Sequence, residues 1–277
     1  LPTIASLLPL ALSLALLLGL SVLGAGCVSS GVSPEEADRS MKQYELAIGL
    51  HGEGNTPGAL QALYRAIEID PNNAKAHQML ASIFLITRDD NPQHHDAEAE
   101  KHFKEVLRIQ ESEQALPEET LVSDANNGLG VLYIHQGRYR EAIERLELAA
   151  ADLFNRQAYM AWGNLGWAYN ELGEYEKAVE VLSRAVKQSP RFCVGYFRLG
   201  RAYVALSRYE DAERAFTSAL EADDRCEEFQ DAWHRRGETR MNLGLRDDAR
   251  ADFERCVEVA PHSEAGEACR RYLEATY

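Results

Sequence analysis

The chain has 277 residues, is 45% hydrophobic and 26% charged, and carries a formal net charge of −15. Length and apolar content allow an ordinary core in one or two domains. The acidic excess, all of it after residue 34, argues against nucleic acid or an anionic membrane surface as the main partner.

Leu1 to Leu23 is almost continuously apolar and is followed by Gly24, Ala25, Gly26 and Cys27. Residues 1–26 read as an export signal removed before Cys27. A retained anchor helix is the alternative, because the stretch is long enough to span a bilayer. The chain starts with Leu and lacks a basic beginning, so a few residues are expected upstream. Residues 27–39 read as a tether whose first part, Val28 to Pro34, is Ser- and Gly-rich.

From residue 40 one pattern recurs. Its clearest copy is Ala158 to Pro190, with Trp162, Leu165, Gly166 and Tyr169, then Ala178, Leu182, Ala185 and Pro190. Trp162 and Tyr169 are two helical turns apart, as are Ala178 and Ala185. Small residues permit close helix crossing, Gly173 stops the first helix and Pro190 ends the second. This pattern resembles the tetratricopeptide repeat. It predicts an all-α, right-handed α-solenoid of six helix-turn-helix repeats over 40–262. The repeats fall at 40–73, 74–113, 123–156, 159–192, 193–226 and 230–263, with a capping helix at 263–277. In the second, six extra residues within TRDDNPQHHD are expected to enlarge the turn. An acidic connection, ESEQALPEETLV, precedes the third. In the sixth, Arg236 and Arg240 stand where Leu and Tyr are usual, which predicts a terminal repeat facing more water.

Besides Cys27 there are four cysteines, Cys193, Cys226, Cys256 and Cys269. An even remainder in an exported chain suggests disulfides. Repeat geometry favours Cys193–Cys226 and Cys256–Cys269. The alternative is that Cys256 fills the small-residue slot usually held by Ala. No Cys-x-x-Cys or Cys/His cluster predicts a metal site.

His94 and His95 beside Asp96 read as a solvated loop, and His51 and His135 fall near first-helix ends. No nucleophile elbow, zinc-protease motif or phosphate-binding glycine loop is present. Neither an enzyme nor a cofactor is expected. Superposing the repeats predicts a concave groove lined by first helices, rich in apolar side chains. It takes Met41, Tyr44 and Ile48 from repeat one, and Gln78, Leu85 and Ile86 from repeat two. Repeat three gives Asn127, Val131 and Ile134, repeat four Met160 and Trp167, and repeat five Val194, Phe197 and Arg201.

Gly24 to Cys27 resembles a bacterial lipoprotein box, in which the Cys is acylated and becomes the mature N-terminus. A lipoprotein box followed by six repeats resembles the type IV pilus pilotins, the PilF/PilW/Tgl group. Gly54 to Phe84 and Asn126 to Gly166, including the Asp152 break, carry that likeness. The resemblance implies a lipid-anchored monomer on the outer membrane, facing the periplasm. It also implies that the groove of repeats one to three binds secretin subunits of the pilus machine and promotes their assembly. A lipoprotein adaptor for cell-wall enzymes or outer-membrane barrel assembly shares the same physical features.

Overall fold

Four short polar caps start the first four helices. In the computed structural model, which describes residues 31–87, 91–112, 120–152, 155 and 157–276, Ser33 opens α1 (Pro34–Gly52) with a capping box. The Glu36 amide donates to Ser33 Oγ at 3.2 Å, and the Ser33 amide donates to Glu36 Oε2 at 2.9 Å. Asn55, Asn73 and Asn91 then cap α2 (Thr56–Ile69), α3 (Ala74–Ile86) and α4 (Pro92–Gln110). Each side-chain oxygen satisfies an amide that the first helical turn leaves without a partner.

The chain continues as α5 (Leu121–His135), α6 (Tyr139–Ala151), α7 (Ala158–Leu172), α8 (Tyr175–Gln188), α9 (Cys193–Ala205) and α10 (Tyr209–Glu221). A 3-10 turn at Asp224–Glu228 leads to α11 (Gln230–Asn242), α12 (Arg246–Val259) and α13 (Glu264–Thr276). Among the described residues there is no strand. Odd- and even-numbered helices up to α12 pair as hairpins, successive hairpins stack, and α13 packs on α12 and α11. First helices also meet one another directly, α3 with α5, α5 with α7 and α7 with α9. The result is an all-α solenoid whose first helices form one continuous face.

The last four hairpins are keyed by a glycine-to-large pair at a fixed spacing. Gly130, Gly166, Gly200 and Gly237 on first helices each face the residue sixteen positions on, Leu146, Leu182, Phe216 and Phe253. A β-carbon on Gly200 would lie 2.6 Å from the Phe216 ring, and one on Gly237 would lie 2.6 Å from Phe253. All four large partners are fully buried. Tight turns follow the first helices, with Gly137, Gly173 and Gly244 left-handed at φ 73°, 81° and 79°. Ser207 takes the equivalent place in the fifth hairpin at φ 57°, a conformation that glycine adopts without steric cost.

Two sequence expectations are corrected. The six extra residues of the second repeat do not simply widen its turn. They lengthen α4, which has 19 residues where α8, α10 and α12 have 14, 13 and 14. His94 and His95 therefore sit in a helix, with their rings against Phe84 at centroid distances of 6.2 and 5.4 Å. Arg236 does not face water either. It is buried, because Asp252 on α12 and Thr217 on α10 supply the hydrogen-bond acceptors that its guanidinium needs.

A second buried polar pair ties α3 to α4. His77 and His102 approach through their Nδ1 atoms at 2.8 Å, with Phe84 stacked on the His102 ring. The Pro71 carbonyl lies 3.2 Å from His77 Nε2. It can only accept, so His77 carries its proton on Nε2. His102 must then donate through Nδ1.

Candidate protein-docking face

The face formed by first helices is lined unevenly. At its N-terminal end a concavity of about 430 Å³ opens between α1, α3 and the start of α5. Tyr44 and His51 form its α1 wall, Gln78, Ser82 and Ile86 its α3 wall, and Leu121 its far side. Ile86 is 74% exposed, and Ile48, one turn after Tyr44, is 47% exposed. Side chains this apolar and this open lose water readily to an apolar partner surface. Tyr44 and Leu85 rest on the hydrophobic core with one side each, and Met41 accepts a 3.7 Å contact from Asn73 Nδ2 at its sulfur.

The middle of the face is interlocked. Asn164 Nδ2 donates to Asn127 Oδ1 at 3.0 Å, and Arg198 Nη1 donates to Asn164 Oδ1 at 3.0 Å. Trp167 is flanked by the His135 ring, edge-on at 5.2 Å, and by the Arg198 guanidinium, 4.7 Å from its ring centre. Val131 is half-buried, while Met160 and Val194 are open to solvent. Phe197 turns away to pack on Phe229 and Phe216, with ring centres 4.7 and 5.8 Å away. Ile134 is only 4% exposed and belongs to the core, so it cannot meet a partner. Its position points between α5 and its neighbours rather than outward.

His51, Ser82 and Leu121 are lining residues that slot-by-slot superposition of the repeats overlooks. His51 lies seven residues after Tyr44, two turns along the same helical stripe, and that spacing is the signal that finds it.

The structure joins Cys193 to Cys226 across the fifth hairpin, with Cα atoms 6.0 Å apart, and Cys256 to Cys269 across α12 and α13 at 6.3 Å. Among the described residues no group of His, Cys, Asp and Glu could hold a metal ion. No helix among them is long and apolar enough to cross a membrane. Cys27 and the apolar stretch before it lie outside the described residues.

Tetratricopeptide repeat models match residues 127–191, 169–233 and 230–263. The type IV pilus assembly protein PilF of Pseudomonas aeruginosa is 27% identical over 168 residues, 58% of this chain and 61% of that protein. The chain thus spans less than two thirds of the length of the curated relatives it matches. The solved structure of Pseudomonas aeruginosa PilF superposes with a TM-score of 0.67 at 18% identity, covering 86% of this chain and 99% of that one. PilW, described as a widely conserved type IV pilus biogenesis factor, superposes at 0.69 and 20% identity, covering 83% of this chain and 97% of its own. With repeat matches over residues 127–263 and the same glycine key in each of the last four hairpins, the chain is a tetratricopeptide-repeat protein.

Proposed function

We propose that the protein is a non-catalytic scaffold of type IV pilus biogenesis, a pilotin held to the outer membrane through lipids on Cys27. Its partner is the secretin subunit, taken up by the groove between α1, α3 and α5. Anchoring raises the local concentration of captured subunits at the membrane, which favours multimer assembly without any new contact. The protein acts as a monomer facing the periplasm and binds no nucleic acid. The observation that carries this reading is the apolar, solvent-open N-terminal concavity with Ile86 on its wall, in a chain similar to PilF.

The test is affinity capture from detergent-extracted membranes, read by mass spectrometry, with wild type and Ile48→Glu/Ile86→Glu. Both side chains are exposed, so the variant should keep native helicity. Secretin recovered with wild type and lost with the variant is expected. Secretin absent from the wild-type capture, or retained undiminished by the variant, overturns the reading. Charged substitution at Leu85 would be a poor probe, because Leu85 also rests on the core.

A further inference from the structure

From α3 to α11, every first helix is covered on one flank by the second helix of the hairpin before it. Helix α2 packs on α3, α4 on α5, α6 on α7, α8 on α9 and α10 on α11. On α7 that flank runs through Ala161 and Trp162, which pack on Ala149 and Ala150 of α6, to Leu165 one turn further. The leucines at this place in the stack, Leu80, Leu129, Leu165 and Leu199, are 0%, 0%, 1% and 6% exposed. Leu46 holds the same place on α1, just before the buried Ala47, and is 50% exposed. Among the described residues no helix precedes α1.

A second position tells the same story. Three residues after those leucines, Ile83, Leu132, Ala168 and Ala202 are at most 2% exposed, whereas Gly49 of α1 stands open. Among the described residues nothing lies within 4 Å of where a β-carbon on Gly49 would be. Glycine weakens a helix interior, and no contact within the chain calls for it here. It leaves room for another helix to cross α1 closely. Leu50, one turn after Leu46, rests on the core with part of its surface. This flank is not the N-terminal groove, because Leu46 and Ile48 point about 200° apart around the helix.

We propose that an amphipathic helix of a partner protein covers this flank and continues the stack beyond α1. Its chemistry is set by the second helices that do the same elsewhere. Each brings a small residue followed by an apolar one, both buried: Ala149–Ala150 on α6, Ala185–Val186 on α8 and Ala219–Leu220 on α10. A second copy of this chain fits less well. The opposite end of the stack is closed by α13, whose exposed residues include Glu264, Glu267, Arg271 and Glu274, so head-to-tail stacking would set charges against Leu46. Joining two copies through α1 would bring together chains of net charge −15. The site lies outside the concave face and goes beyond the pilotin reading, on which it does not depend.

Fluorescence anisotropy with the full chain tests it. The probes are a fluorescein-labelled peptide of the α8 sequence, stapled on its polar side to hold the helix, and a stapled peptide of the same composition with its apolar stripe scrambled. The amphipathic peptide should bind about tenfold tighter, the effect of burying roughly one leucine side chain. Leu46→Glu/Gly49→Gln should abolish the preference while circular dichroism stays native, and Ile48→Glu/Ile86→Glu should leave it unchanged. Equal binding of the two peptides to wild type overturns the proposal. So does a preference that survives the Leu46/Gly49 variant, or one that vanishes in the isoleucine variant instead. Sedimentation of wild type as a dimer that Leu46→Glu/Gly49→Gln dissociates would assign the flank to a second copy and overturn it as well.

Discussion

Arg236 and Asp252 form a bidentate ion pair inside the sixth hairpin, Nε to Oδ2 at 3.1 Å and Nη2 to Oδ1 at 2.7 Å, with side chains 8% and 2% exposed. Arg240 adds a bond from Nη1 to Asp252 Oδ2 at 2.9 Å and reaches Glu213 on α10 through Nη2 at 2.8 Å. One carboxylate thus collects two guanidiniums, and the cluster bridges the fifth hairpin to the sixth. Asp252→Ala should cost about 3–5 kcal/mol, because it strands a buried charge. Replacing Arg236 and Asp252 together with leucine should recover much of that loss. Urea denaturation midpoints of the single and double variants check both statements, and an Asp252→Ala midpoint within error of wild type would show that the pair carries no such penalty.

Both disulfides lie in the last three hairpin-and-cap units. Loop-closure entropy gives about 3 kcal/mol for the Cys256–Cys269 link and about 4 kcal/mol for Cys193–Cys226, from separations of 13 and 33 residues. Cys256→Ser/Cys269→Ser should lower thermal stability and loosen α13 before the rest. Amide exchange resolved by segment is the appropriate readout, with α13 losing protection while α1 to α4 keep theirs.

Stability should fall as the medium becomes acidic. Burial, and then the charge of His77, push the His102 imidazole down from 6.5 to about 4. His77 is shifted in the same direction, chiefly by burial. The unfolded chain takes up a proton near pH 6.5 while the folded chain refuses it until about 4. Stability from this site is therefore complete above pH 6.5 and is lost as pH drops through that window, by an amount on the order of 3 kcal/mol at most. His102→Phe should flatten this part of the profile. Denaturation midpoints between pH 4 and 7 for both proteins measure it, and parallel slopes would remove His102 as the cause.

The helical repeat was legible because each hairpin depends on local, repeated requirements. Gly166 and Leu182 let two helices cross closely, and the same spacing recurs in each of the last four hairpins. Arg236 was misread for the opposite reason. A charged residue in an apolar slot looks exposed until its partners are known, and Thr217 and Asp252 come from other helices. The groove was legible by slot but not by orientation. Ile86 and Ile134 are both isoleucines of first helices, yet one stands open and the other is enclosed, because only the neighbouring hairpins decide which flank of a helix is covered. The added length of α4 was hidden since six extra residues beside Pro92 and Asn91 look like turn chemistry, and those residues cap and start the longer helix.

The placement of the two cross-links gives the solenoid a mechanical direction. In a stack where each hairpin leans only on its neighbours, unravelling propagates from whichever end is cheapest to open. The C-terminal end is stapled covalently at two points, and the staples join elements of the fifth and sixth hairpins and α13. Fraying should therefore begin at α1 and α2, beside the apolar concavity. A ligand seated there would act as a clasp on the end without a cross-link, so its arrival should be felt as rigidity along the array well beyond the residues it touches.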